Sequence, residues 1–410
     1  MKVLVFTSLY PNNMWPNQGV FIKERVAHVA KLDHCEVKVV APVPYFPPVR
    51  LGARWRFSQV VQHEIREGIE IIHPRYYMIP KVGMVFYGVS LFASLLPHVR
   101  RMQHSFAFDL IDAHFVYPDG MAAVLLGRML GKPVVVSARG SDINVYKDLT
   151  LIRPLLRWTL GRANAVVTVS QALKDAMERL GTAREKIHVI PNGVDSEKFF
   201  PMARAKAREQ VGIRTERVIL SVGHLTANKG FALLVRALKV LVDEYGLTDL
   251  RLVIVGEGGY RKELEQLIHV ENVESRVTLV GAIAHSELHS WYSAADVFCL
   301  ASAHEGCPNV VLESLACGTP VVATAVGGIP EILRSSDIGI LTERKERALA
   351  ASLAEALQTI WQKEVIIRYA RQQTWAQVAK EVFHVFNKAI DCRTPGFSIG
   401  VGETKTQIRC

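Results

Sequence analysis

HEGCPNVVLESLACGTPVVAT, residues 304–324, sets the architecture of this chain. The apolar run DVFCLAS (296–302) leads into it and PVVAT (320–324) leads out, so the segment reads as strand, loop, short helix and strand. Pro308 stands where a first helical residue is favoured, and Gly318 is well placed to stop the helix. The start of such a helix offers unpaired backbone N–H groups and the positive end of a dipole, a seat for phosphate. Glu305 lies beside that seat and Glu313 farther along the helix. Two carboxylates cannot both be phosphate ligands. They suit sugar hydroxyls on either side of a diphosphate.

The same alternation continues on both sides. RVILSVG (217–223), LRLVIVGEG (250–258) and RVTLVG (276–281) read as strands, as do VLVF (3–6), VKVVAP (37–42), DLIDAH (109–114), PVVVSARG (133–140) and AVVTVS (165–170). Helical patterns at 19–31, 120–130 and 171–180 fall between them. Runs this uniformly apolar fit parallel strands buried on both faces. The alternation predicts an α/β fold of two tandem doubly wound, Rossmann-like domains, with ligands in the cleft where the carboxyl ends of both sheets meet. The turn-rich PNGVDSEKFFP (191–201) marks the boundary, giving domains at 1–195 and 196–365. A helical stretch from about Trp361 to Ile390 is long enough to return to the first domain, with 366–390 assigned to that return. Residues 391–410 lose periodicity and read as a flexible tail.

Composition supports a globular enzyme: 410 residues, 49% hydrophobic and 21% charged, exclude a disordered chain, a fibre and a coiled coil. The longest uncharged apolar run, Val82 to Pro97, has 16 residues and falls short of the roughly 18–20 that a spanning helix needs. Met1 to Tyr10 reads as a first strand rather than a leader, so a cytoplasmic protein is expected. Six cysteines without CxxC spacing indicate neither zinc nor a disulfide framework. Of the net charge of +10, residues 1–200 carry +9, from 25 Lys+Arg against 16 Asp+Glu. No nucleic-acid-binding signature accompanies it. Aromatic and apolar residues do, in PVPYFPPVRLGARWRF (42–57), KVGMVFYGVSLFASLLPHVRR (81–101) and LIRPLLRWTLGR (151–162), a mixture suited to an anionic membrane surface.

Residues 305–323 follow E-G-x-P-N-x-x-x-E-x-x-A-x-G-x-P-V-V-A, with Glu305 and Glu313 separated by seven residues. Here the chain resembles the family-4 retaining glycosyltransferases of the GT-B fold. SARGSDIN (137–144) is most similar to members that assemble bacterial extracellular polysaccharides, including teichuronic-acid-type enzymes. The resemblance implies that Glu305 binds hydroxyls of the donor sugar and Glu313 the nucleotide ribose. Backbone at Gly306, Cys307, Asn309 and Val310 would face the distal phosphate or sugar; Pro308 has no N–H to offer. In SVGHLTANKG (221–230), Lys229 would grip the diphosphate, and His224 stands where the family usually has Arg, one imidazole donor in place of a guanidinium fork. GAIAH (281–285) resembles the nucleobase contact through Ile283. Gly19, in YPNNMWPNQGVF (10–21), would let backbone approach the donor phosphates and the acceptor. In DAHFVYPDG (112–120), His114 would sit close to the transferred sugar, and Arg139 and Asp142 on the acceptor or phosphate side. VGEGG (255–259) lacks the full dinucleotide fingerprint.

Together these readings predict a retaining, metal-independent hexosyltransferase without a cofactor. It would use a UDP- or GDP-sugar and a glycan or polyprenyl-linked acceptor, and sit peripherally on a bacterial membrane. Its catalytic residues would be His114, Lys229 and Glu305. The alternatives are a membrane-surface scaffold with a degenerate donor site and a retaining glycoside hydrolase, whose paired carboxylates would have no use for a phosphate seat.

Overall fold

The computed structural model describes residues 1–50, 52–78, 83–214 and 217–391; the predicted tail, from residue 392 onward, lies outside the described residues. An eight-stranded sheet has the spatial order Ile187–Val189, Ala165–Thr168, Val134–Ala138, Leu110–His114, Lys2–Phe6, Glu36–Val40, Ile69–Ile72, His63–Arg66. Its pairs are parallel except the last, an antiparallel hairpin closed by Glu67 and Gly68, both at positive φ. Two consecutive residues at positive φ are what a tight hairpin with the right-handed strand twist requires. The second sheet is parallel throughout, in the order Val277–Gly281, Leu250–Val255, Arg217–Val222, Val297–Leu300, Val321–Thr324, Gly339–Thr342. The fold is thus the predicted pair of parallel-sheet, Rossmann-like units.

In each sheet the earliest strand lies inside. Lys2–Phe6 pairs with Glu36–Val40 and with Leu110–His114, and Arg217–Val222 pairs with Leu250–Val255 and with Val297–Leu300. The chain therefore leaves the central strands toward opposite edges, and the loops at their carboxyl ends part to leave a crevice. Those loops are the ones that hold the motifs at 7–19, 221–230 and 301–308.

The return to the first domain begins later than the sequence suggests. Helix Lys363–Ala370 buries Ile366 and Ala370 in the cluster that contains Leu315, Ala316 and Cys317, so it packs with the second domain. The chain then turns, and Thr374 bridges to Val194, the outgoing connection. A Cβ at Gly193 would lie 2.4 Å from the Trp375 nitrogen, so the two crossings run side by side. Helix Trp375–Asp391 is the returning element, not residues from 366. It buries Trp375, Val378, Ala379, Val382, Val385, Phe386 and Ala389 with Val3, Val5, Ile22 and Val26 of the first domain. That spacing is one face of a helix. Helix Tyr87–Phe106 likewise buries one face, through Leu91, Leu95, Val99 and Phe106. No helix among the described residues is long and apolar enough to cross a membrane.

Candidate functional site

At the carboxyl end of Arg217–Val222 the chain turns through Gly230, whose φ is +72° and whose absent Cβ would stand 1.9 Å from the Ala301 carbonyl oxygen. Only glycine fits so close to the neighbouring loop. That closeness brings Lys229 against the second motif: its Nζ is 2.7 Å from Glu305 Oε1, which also accepts from Ser302 Oγ at 2.6 Å. Glu305 Oε2 has no hydrogen-bond partner among the described residues. Pro308 is the residue preceding helix Asn309–Ala316 rather than its first member, with extended backbone. Val311 N–H donates to the Pro308 carbonyl, while the Asn309 and Val310 N–H groups make no backbone hydrogen bond among the described residues. Gly318, at φ +77°, ends the helix as predicted.

Glu313 is buried in the same helix and engaged on both oxygens. Tyr292 OH donates to Oε2 at 2.9 Å and His285 Nε2 lies 2.9 Å from Oε1. Burial disfavours the charged imidazole, but the hydrogen bond and charge of Glu313 outweigh it and raise the His285 pKa. Ile283 is half-buried in that loop, and His224 is exposed with no hydrogen bond to Lys229 or Glu305 among the described residues.

The facing wall is a buried polar chain. Arg25 is 1% exposed and holds both oxygens of Asp112, at 2.6 and 2.7 Å, while donating to Ser137 Oγ at 2.9 Å. Burial alone would raise the Asp112 pKa; Arg25 and the His114 N–H hold it well below the usual carboxylate range. His114 is wholly buried, with Nε2 at 3.2 Å from Asp112 Oδ2 and Nδ1 at 2.7 Å from Arg139 Nη2. Burial and the charge of Arg25 push it down to about 3, so the ring is neutral and accepts from Arg139. Arg139 Nη1 donates to Asn192 Oδ1 at 3.2 Å, and Asn192 Nδ2 donates to the Cys307 carbonyl and Asn309 Oδ1 at 3.1 and 2.8 Å. The chain thus ends on the first turn of the second domain's helix. A Cβ at Gly306 would lie 2.4 Å from the Arg139 carbonyl oxygen, so the two domains touch at this point.

Three expectations change. His114 does not stand open to a sugar; it is wholly buried and both ring nitrogens are occupied, one by Asp112 and one by Arg139. The Asp142 carboxylate is already engaged: it accepts the backbone N–H groups of Val116, Arg139 and Gly140, which holds the turn that presents Arg139. Gly19, at φ +65°, answers first to Leu9, whose carbonyl oxygen would be 2.4 Å from a Cβ. The Cys307 side chain is buried, and burial pushes its thiol up to about 12. Arg25, Asn192, Ser302, His285 and Tyr292 escaped the sequence reading. Two of them lay inside quoted motifs, Asn192 as the Asn of the PNG turn at the boundary and His285 as the last residue of GAIAH.

Residues 203–373 match the family described as Glycosyl transferases group 1, and residues 76–198 match Glycosyltransferase Family 4. The chain is 29% identical over 399 residues to TuaC of Bacillus subtilis (strain 168), provisionally named as a teichuronic acid biosynthesis glycosyltransferase, covering 95% of each protein. It is 26% identical over 301 residues to the N-acetyl-alpha-D-glucosaminyl L-malate synthase of Bacillus anthracis, covering 72% of this chain and 76% of that one. Among solved structures it is similar to sucrose-phosphate synthase from Thermosynechococcus elongatus, with TM-score 0.75, 20% identity and coverage of 95% and 99%. Anabaena HepE in complex with UDP gives TM-score 0.73, 21% identity and coverage of 94% and 100%.

Proposed function

We propose that this chain, which belongs to the group 1 glycosyltransferases of the GT-B fold with a family 4 first domain, is a retaining hexosyltransferase that moves a sugar from a nucleoside-diphosphate donor to a glycan or polyprenyl-linked acceptor. The observation that carries this reading is the meeting of Lys229, Glu305 and the start of helix Asn309–Ala316 at the switch point of the second sheet, directly against the Arg139 turn. The relative named for teichuronic acid biosynthesis supports a role in bacterial polysaccharide synthesis, and the HepE complexes with UDP and UDP-glucose favour a uridine donor.

In this reading a diphosphate seated on the Asn309 and Val310 amides draws Lys229 Nζ toward itself, and Glu305 turns to sugar hydroxyls through its unused oxygen. Lys229 and the amides stabilise the charge that grows on the leaving phosphate. Glu313 has spare lone pairs for a ribose hydroxyl beside Tyr292 and His285. Retention follows if the departing phosphate oxygen takes the acceptor proton on the same face. The protein acts without a metal, from the cytoplasmic side.

Thermal unfolding with a panel of UDP-, GDP-, ADP- and dTDP-sugars tests the reading. A bound nucleotide at a hundredfold excess over its dissociation constant adds about 2.7 kcal/mol of apparent stability. A shift with one nucleotide class, lost in Lys229→Ala and Glu313→Ala, is expected; no shift with any would move the scaffold reading ahead. An α-linked product from an α-linked donor, formed at full rate in EDTA, is expected to follow.

A further inference from the structure

The first domain contains a cavity of about 210 Å³ at the carboxyl ends of its central strands, walled by Ser8, Leu9, Tyr117, Pro118, Val145 and Tyr146 among others. The Tyr117 and Tyr146 rings meet edge to face across 6.3 Å. Each ring leads to a different surface. The Tyr117 hydroxyl donates to the Met84 carbonyl, and beside Met84 lie the exposed Phe86 and Val89. Ser90 donates to the Tyr77 carbonyl, and the Tyr77 ring, 70% exposed, sits 5.3 Å from that of the exposed Tyr45.

Tyr146 lies on the loop that also lines two adjoining cavities, of about 550 and 190 Å³, which share Asp148 and Arg153. Their other walls include Lys147, Arg157 and Arg179. None of these four cations has an ion pair or side-chain hydrogen bond among the described residues. Within the same loop Val145, Leu149 and Leu151 are exposed, Leu151 at 70%.

We infer that this rim, aromatic on one side of the cavity and cationic on the other, is the surface by which the first domain docks on an anionic phospholipid bilayer. Unpaired guanidinium groups match headgroup phosphates, and exposed Tyr, Phe and Leu side chains enter the headgroup boundary. A soluble polyanion would use the cations and leave the apolar side chains without a role. The cavity then opens toward the membrane between the two patches. That part alone rests on the acceptor reading given above.

Flotation of the full chain with vesicles of phosphatidylcholine, with and without phosphatidylglycerol, tests the surface at low and high salt. The protein is expected to float with the anionic vesicles at low salt and much less with neutral ones. At about 1 kcal/mol per basic residue near such a surface, Arg153→Gln/Arg157→Gln is expected to weaken partitioning about 30-fold. Tyr77→Ser/Phe86→Ser is expected to lower it at both salt concentrations. Equal partitioning into both vesicle types, or wild-type partitioning of both double variants, would overturn the inference. Soluble polyphosphate bound in an Arg153- and Arg157-dependent manner without flotation would overturn it in favour of a polyanion site. The UDP-dependent thermal shift, measured on the same variants, is expected to stay. It verifies their folding, and its absence from the wild type would count against the transferase reading and leave the docking result standing.

Discussion

Asp119 carries a carboxylate into a wholly buried position where Ser8 supplies both donors to Oδ2, its N–H at 2.6 Å and its Oγ at 2.9 Å, and Oδ1 has no partner. Burial pushes its pKa up to about 7. An Asp is near 4 when unfolded, so the native state binds the extra proton between those values. Its contribution to stability therefore falls as pH rises from about 4 to about 7 and is flat above. Asp119→Asn keeps an acceptor for Ser8 and removes the ionisation. The variant is expected to gain on wild type across that window, by a few kcal/mol at most, in urea unfolding at pH 5 and pH 8. A constant difference between the two pH values would refute the assignment. His285 runs the other way: its raised pKa places its stabilising pair with Glu313 below about pH 6.5, to be lost as pH climbs through the folded value. The stability gap between wild type and His285→Gln is expected to narrow as pH rises above about 6.5. These residues were invisible in sequence because their roles depend on what buries them. A histidine four places from a glycine turn says nothing of a glutamate on another helix.

The alternation of apolar runs and helical patterns showed the central strands of both sheets, because strands covered on two faces carry a continuous apolar signal. The hairpin His63–Arg66 with Ile69–Ile72 escaped for the opposite reason: HEIR and IEII lie at a sheet edge and alternate with polar residues. The donor-side motifs were legible because glycines there have a steric cause. Gly230 is the sharpest case, since an alanine must move the Ala301 loop or leave the left-handed region. Gly230→Ala is expected to cost about 1–3 kcal/mol and, by separating Lys229 from Glu305, to abolish the nucleotide-dependent thermal shift while far-UV circular dichroism stays native. A retained shift would mean that the Lys229–Glu305 pairing does not organise the site. The Arg25–Asp112–His114–Arg139–Asn192 chain needed the fold, because its members come from a helix, two strand ends and the linker.

At the scale of the whole molecule the domains are joined by two neighbouring crossings and by side chains that reach over the cleft. Glu331 of the second domain accepts the N–H groups of Gln171 and Ala172 at the start of a first-domain helix, at 2.7 and 3.0 Å. Lys198, just past the outgoing crossing, is bonded to both oxygens of Glu24. The returning helix Trp375–Asp391 has a different status, because its buried face completes the first domain's own core. Phe386, fully buried there, has no share in the cluster around Ile219, Phe231 and Leu349 that backs the second sheet. Phe386→Ala removes a large side chain from a packed core, at about 3–5 kcal/mol. Two domains with separate outer cores need not unfold as one. Calorimetry of the variant is thus expected to show the first-domain transition moved down and a second-domain transition near its wild-type temperature. If both transitions fall together by the same amount, the crossings and the Glu331 and Lys198 contacts bind the chain into one cooperative unit. Cleft opening would then have to be sought within that unit rather than between two independently stable halves.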